Sequence, residues 1–148
     1  MTETVEPRTI VRQLTFDGDA DLVWDRVSDF GGTRYPASPG GPAVTLTGDP
    51  ATPGTERRAA LDNGTLIRER LVLIDDARRV LAYSLVEPPF PITDHRATVT
   101  VTDEHHRVSV EYRAEFQATA AVAEALEPVM GGAFEQLLDR YAGKDAAG

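Results

Sequence analysis

The sequence predicts an α+β domain in which an antiparallel sheet packs against one long C-terminal helix. Three observations carry this. From residue 55 onward, short alternating apolar segments are joined by tight turns, the pattern of an antiparallel meander. The last segment, from about Ala120 to Tyr141, repeats apolar residues at spacings of three and four. A helix with such a stripe must bury it, and the sheet is the only large surface on offer.

The elements follow in order. RTIVRQLTF, residues 8 to 16, alternates and reads as the first strand. In GDADLVWDRVSDF, Asp19 or Asp21 can cap a helix whose Leu22, Val23, Val27 and Phe30 recur at helical spacing. GGTRYPASPGGP is loop or very short helix by its Gly and Pro content. AVTLTG is a short strand and DPATPGT a turn. TERRAAL, the turn DNG and TLIRERLVLI form a hairpin. DDARR leads into VLAYSLVE. The Pro-rich PPFPITD cannot be central strand, and HRATVTVT and RVSVEYRAEF flank the turn DEHH. In the long helix the stripe includes Val122, Leu126, Val129, Ala133, Leu137 and Tyr141, and Pro128 with Gly131-Gly132 predicts a kink. The ends, about 1–7 and 143–148, are expected to fray, and the whole of 1–148 reads as one domain.

Composition narrows the function. A chain of 148 residues can bury a real core. Cysteine is absent, which excludes disulfides, thiolate metal sites and a Cys nucleophile. The net charge of −9 argues against nucleic acid, whose phosphates need clustered Lys and Arg, and against anionic membranes. MTETVEPRTI lacks the form of a signal peptide, so the cytoplasm is the expected location. No apolar run approaches the ~20 residues that cross a bilayer. His105 and His106, adjacent in an acidic turn, have no metal-ligand spacing, and no metal or cofactor is expected. There is no G-x-S-x-G elbow and no phosphate-binding glycine loop.

Alternation also assigns faces. Val108, Val110, Tyr112, Ala114 and Phe116 share the inward face of the last strand. His95, Ala97, Val99 and Val101 share that of the strand before it. Leu81, Tyr83 and Leu85 point inward in VLAYSLV, and Arg57, Ala59 and Leu61 in TERRAAL. TLIRERLVLI is apolar on both faces. Burying its Arg68 and Arg70 costs more than burying Glu69, so the face of Glu69, Leu71 and Leu73 is assigned inward. Five polar groups then point into one space: Arg57, Glu69, Tyr83, His95 and Tyr112. The structural alternative is that Arg57 and Glu69 pair with each other, and that the tyrosines are core aromatics.

The motifs VWDRVSDFGG (23–32), GTERR (54–58), RERL (68–71) with IDDARR (74–79), LAYSLVEPPFP (81–91) and VSVEYRAEF (108–116) resemble, in order and spacing, the START-like or SRPBCC superfamily, and most closely its polyketide cyclase/dehydrase branch. The resemblance covers residues from about 8 to 141. It implies a helix-grip fold: a curved seven-stranded antiparallel sheet wrapped around the C-terminal helix, with an apolar internal cavity between them. The chain departs from the family pattern at Tyr35, Tyr112 and His95, where Trp, Trp and Tyr are common.

The resemblance implies a hydrophobic small-molecule ligand; the chain is expected to act as a monomer or homodimer. One reading is a cofactor-independent cyclase/dehydratase-like enzyme acting on a carbonyl-rich intermediate. Glu69, His95 and Arg57 would be catalytic, and Tyr35, Tyr83, Tyr112, Phe90, Met130 and Phe134 would bind substrate. The alternative is a non-catalytic carrier of a lipid-like or aromatic ligand. A third, an interaction module, wants an exposed apolar patch on the outer sheet face, where the residues are instead Arg96, Thr98, Thr100 and Arg113.

Overall fold

The computed structural model describes residues 4–30, 45–60 and 66–143. Its elements are β1 (Glu6–Asp17), α1 (Ala20–Val27), β2 (Thr45–Leu46), β3 (Glu56–Ala60), β4 (Leu66–Asp75), β5 (Val80–Leu85), β6 (Thr93–Asp103), β7 (Arg107–Ala118) and α2 (Ala120–Tyr141). The strands form one seven-stranded antiparallel sheet in the order β1-β7-β6-β5-β4-β3-β2. β2 to β7 run as the predicted meander. β1 closes the other end of the sheet by pairing with β7 along its whole length, from Glu6↔Ala118 to Asp17↔Arg107. Pairing therefore begins at Glu6, inside the stretch expected to fray, because Ala118 and Gln117 of β7 extend far enough to hold it.

Asp19 is the cap of α1: its side chain accepts from the amides of Asp21 and Leu22. The helix buries Ala20, Val23, Trp24 and Val27. Leu22, expected on that face, is exposed, and Trp24 takes the inward position with its indole N–H donating to Asp76 Oδ1 at 2.9 Å. α2 starts at the Thr119 cap and continues past Pro128, which lies on its exposed side. Its buried residues are Leu126, Met130, Gly131, Phe134 and Leu138. Val129 and Ala133, expected on the stripe, face out, since the inward row runs at intervals of four from Leu126.

The inward face of β7 is as alternation requires, with Val108, Val110, Tyr112, Ala114 and Phe116 all buried. β4 departs from strict alternation. Leu71 pairs with Tyr83 but Leu73 pairs with Ala82, so Val72 is an extra residue in a β-bulge. Beyond the bulge the faces exchange. Leu73 is 43% exposed, and Ile74, assigned outward by alternation, packs against the core.

Gly131 and Gly132 differ in what surrounds them. Arg12 of β1, the cross-strand partner of Tyr112, lays its guanidinium where a Gly131 side chain would be. It donates to Glu127 and to Glu135, one turn to either side. The room left by this glycine is thus taken by the protein itself. A side chain at Gly132 would meet nothing within 4 Å.

Candidate functional site

The sheet register builds the site. Arg57 and Glu69 are direct cross-strand partners of β3 and β4, so their side chains leave the same face side by side. Arg57 Nε donates to Glu69 Oε1 at 2.8 Å, and Nη1 donates to the carbonyl oxygen of Phe30 at 3.1 Å. The guanidinium carbon lies 4.2 Å from the Phe30 ring centroid and 4.9 Å from that of Tyr83. Burial works against the Arg57 charge. The carboxylate of Glu69, with the Tyr83 and Tyr112 phenols, more than offsets it, so the guanidinium is held above its ordinary pKa.

Glu69 stands opposite Leu85 of β5, and the Leu85 amide donates to His95 Nδ1 of β6 at 3.1 Å. Arg57, Glu69, Leu85 and His95 therefore form one row across four strands. Two residue pairs further along, on the same face, the hydroxyls of Tyr83 and Tyr112 share a hydrogen bond. The Tyr112 ring stacks on Phe134 of α2, with centroids 4.0 Å apart and planes at 16°. Burial raises both phenols, and Glu69 raises Tyr83 further, so at neutral pH both are protonated donors. His95 is buried at 8% exposure and stands with its ring centroid 6.3 Å from Tyr83. Desolvation pulls its pKa down to about 4, against the opposing pull of Glu69.

The five inward polar groups expected from the sequence are brought together, and the Arg57–Glu69 pair of the structural alternative is also made. Phe134 joins them through Tyr112, while Met130 and Phe90 pack in or against the surrounding apolar core. Tyr35, with the rest of 31–44, lies outside the described residues, as does the DNG turn.

Two residues of the cluster escaped the sequence reading. Phe30 read only as an apolar helix position, yet its carbonyl and ring both hold Arg57. Tyr141 read as part of the α2 stripe. Its carbonyl accepts from Arg26 at 2.9 Å, which ties the end of α2 to α1, and its phenol, raised by burial, lies within reach of the Arg57 and Glu69 charges. The available signal was a polar-tipped aromatic on an inward stripe. Among the described residues no group of three His, Asp or Glu could hold a metal ion, and no helix is long and apolar enough to cross a membrane. An open depression of about 350 Å³ beside α1, lined by residues that include Asp21, Trp24, Ile74 and Asp76, involves none of the clustered residues.

The family described as polyketide cyclase / dehydrase and lipid transport matches residues 7–144. The chain belongs to that family. It is the one to which the ordered motifs pointed, and the seven-stranded sheet with its C-terminal helix is the helix-grip fold of this SRPBCC family. A Thermobifida fusca protein solved by NMR in solution is 34% identical, with a TM-score of 0.78 over 92% of this chain and 94% of that one. A Bacillus thuringiensis crystal structure is 23% identical, with a TM-score of 0.72 over 90% and 97%. Norcoclaurine synthase from Thalictrum flavum, in complex with dopamine and hydroxybenzaldehyde, is 17% identical, with a TM-score of 0.75 over 93% and 87%. At these lower identities the last two speak for the fold alone. No curated protein matches the chain.

Proposed function

We propose that this polyketide cyclase/dehydrase family member holds a hydrophobic, carbonyl-bearing small molecule between the sheet and α2 and acts on it as a cyclase/dehydratase-like enzyme. The observation that carries this is the pairing of a partly buried carboxylate with a partly buried guanidinium, beside two protonated phenols, on a face otherwise lined by apolar residues. Such groups are costly to bury for stability alone. They suit removal of a proton alpha to a carbonyl, with donors aimed at the oxygen where negative charge grows. Glu69 is the base in this reading. Arg57 orients it, and Tyr83 or Tyr112 donates to the developing enolate oxygen. Folding a flexible substrate against the apolar wall brings its reacting carbons together.

The test is cyclisation of a linear poly-β-carbonyl thioester analogue, followed by its product spectrum. Glu69→Gln is expected to slow the reaction on the order of 100-fold or more while the protein stays folded. Full turnover by the folded variant rejects Glu69 as the base. One observation favours a carrier instead: Glu69 is already engaged by Arg57, and no buried side-chain polar atom among the described residues lacks a partner. Native mass spectrometry of protein from its own host separates the two, since a carrier releases its ligand unchanged.

A further inference from the structure

His95 is held in one tautomer by the architecture around it. The regular β5–β6 pairing ends at Tyr83↔Ala97, and on the other side of β6 the register shifts between Thr93 and Arg96. At the place where the next pair would form, the Leu85 amide donates to the imidazole Nδ1 at 3.1 Å. A backbone amide can only donate, so Nδ1 must be the accepting nitrogen. In the neutral ring the proton then sits on Nε2. With its pKa drawn down to about 4, the ring is neutral throughout the physiological range. Its one lone pair is occupied, and what it offers is a donor.

The groups around it define what that donor serves. Glu69 on β4 stands across Leu85 from it and is engaged by Arg57 on β3, while Tyr83 on β5 lies with its ring centroid 6.3 Å away. The Tyr83 hydroxyl is engaged with Tyr112 of β7. We propose that His95 is a ligand-binding residue that donates a neutral hydrogen bond from Nε2 to a carbonyl oxygen of the ligand, with the Leu85 amide fixing it in that form. A neutral donor suits a neutral oxygen in a buried site, because neither group carries a charge out of water. The inference rests on the ligand reading above and specifies the group that the ligand presents at this position.

The test has two arms. In protein labelled with nitrogen-15 at histidine, the His95 spectrum between pH 5 and 8 is expected to show a protonated Nε2 and an unprotonated Nδ1 throughout. A proton on Nδ1, or a ring that becomes charged within that range, overturns the inference. The second arm compares binding of 2-acetylnaphthalene with that of 2-ethylnaphthalene, which has nearly the same shape and no oxygen. Wild-type protein is expected to prefer the ketone by about tenfold, the size of one net hydrogen bond. His95→Gln places an amide N–H near the Nε2 position and keeps a preference. His95→Asn keeps an acceptor for Leu85 but does not reach that position, and loses it. A preference that survives in His95→Asn overturns the donor role and leaves His95 as a structural clasp. Should His95→Gln not fold, His95→Asn and the spectrum still decide. Binding of neither compound to wild type defeats the ligand reading itself, and the inference with it. Binding of both equally defeats the inference alone.

Discussion

The β3–β4 hairpin carries two arginine–glutamate networks on its opposite faces, and they are built differently. On the inner face one arginine meets one glutamate, Arg57 with Glu69, their side chains 23% and 18% exposed. On the outer face Glu56 serves three arginines: Arg68 at 2.8 Å, Arg70 at 3.0 Å and Arg58 at 3.8 Å. Arg58 and Arg70 are about half exposed, and Arg68 has a second partner in Glu87. Glu56 is held below its ordinary pKa chiefly by its hydrogen bonds from Arg68 and Arg70. The outer network is redundant: its shared carboxylate is 13% exposed, but the three arginines around it are 31–52% exposed, and water or a neighbouring arginine can replace any one of them. The inner pair has no such substitute, because Phe30 and Tyr83 cover the guanidinium. The same ion pair is a surface feature on one side of a strand and a constraint on the fold on the other.

The largest effect expected from this difference is that of Glu69→Gln. It leaves the partly buried Arg57 charge without its counter-ion and should lower stability by about 3 kcal/mol in urea unfolding. A drop no larger than that of an outer-face substitution would remove the distinction between the two networks. His95, at the far end of the inner row, gives the next largest. In the unfolded chain an imidazole takes a proton near pH 6.5, whereas the folded ring resists until about pH 4. The stabilisation this supplies is complete above pH 6.5, shrinks as pH falls, and levels off below about pH 4. Over that window wild type should lose up to about 3 kcal/mol relative to His95→Asn. Parallel curves for the two proteins would mean that the ring protonates freely in the fold.

A third arginine–glutamate network sharpens the comparison, because Arg12 is inward on β1 yet reaches the exposed glutamates of α2. Gly132→Ala should raise stability by roughly 0.5–1 kcal/mol through helix propensity, since its side chain meets open space. Gly131→Ala should show no such gain in a thermal melt, because the methyl displaces the Arg12 guanidinium from Glu127 and Glu135. Equal gains at both glycines would show that Arg12 yields without loss. The smallest effect is reserved for Arg70→Ala on the outer face. Its melting curve should overlay that of wild type, and a clear shift would mean that the three arginines act as a unit.

Much of this hairpin was legible beforehand. Strand alternation put Arg57 and Glu69 on one face and Arg68 and Arg70 on the other, and β3–β4 pairing bears that out. Alternation failed at Leu73 and Ile74, because nothing in LVLI marks which residue will be extra in a bulge. Helical spacing on α2 was right for Leu126, Val122, Leu137 and Tyr141 and wrong for Val129 and Ala133, because apolar residues occupy more than one face there and packing selected the row from Leu126 to Leu138. Phe30 was invisible as a site residue because a backbone carbonyl has no sequence signature.

By itself the sequence determined the order of elements, the family, the meander, and which polar side chains would share the inner face. Those properties are periodic and local, set by how a strand alternates and how a helix turns. Only the tertiary structure decided what each of those polar groups meets. It placed Leu85 between Glu69 and His95 so that an amide fixes the imidazole tautomer. It filled the gap at Gly131 with Arg12, and brought Phe30 and Tyr141 to the Arg57–Glu69 pair from the two helix ends. These contacts join residues distant in the chain, and their geometry depends on register and on how α1 and α2 settle on the sheet, which no local pattern encodes.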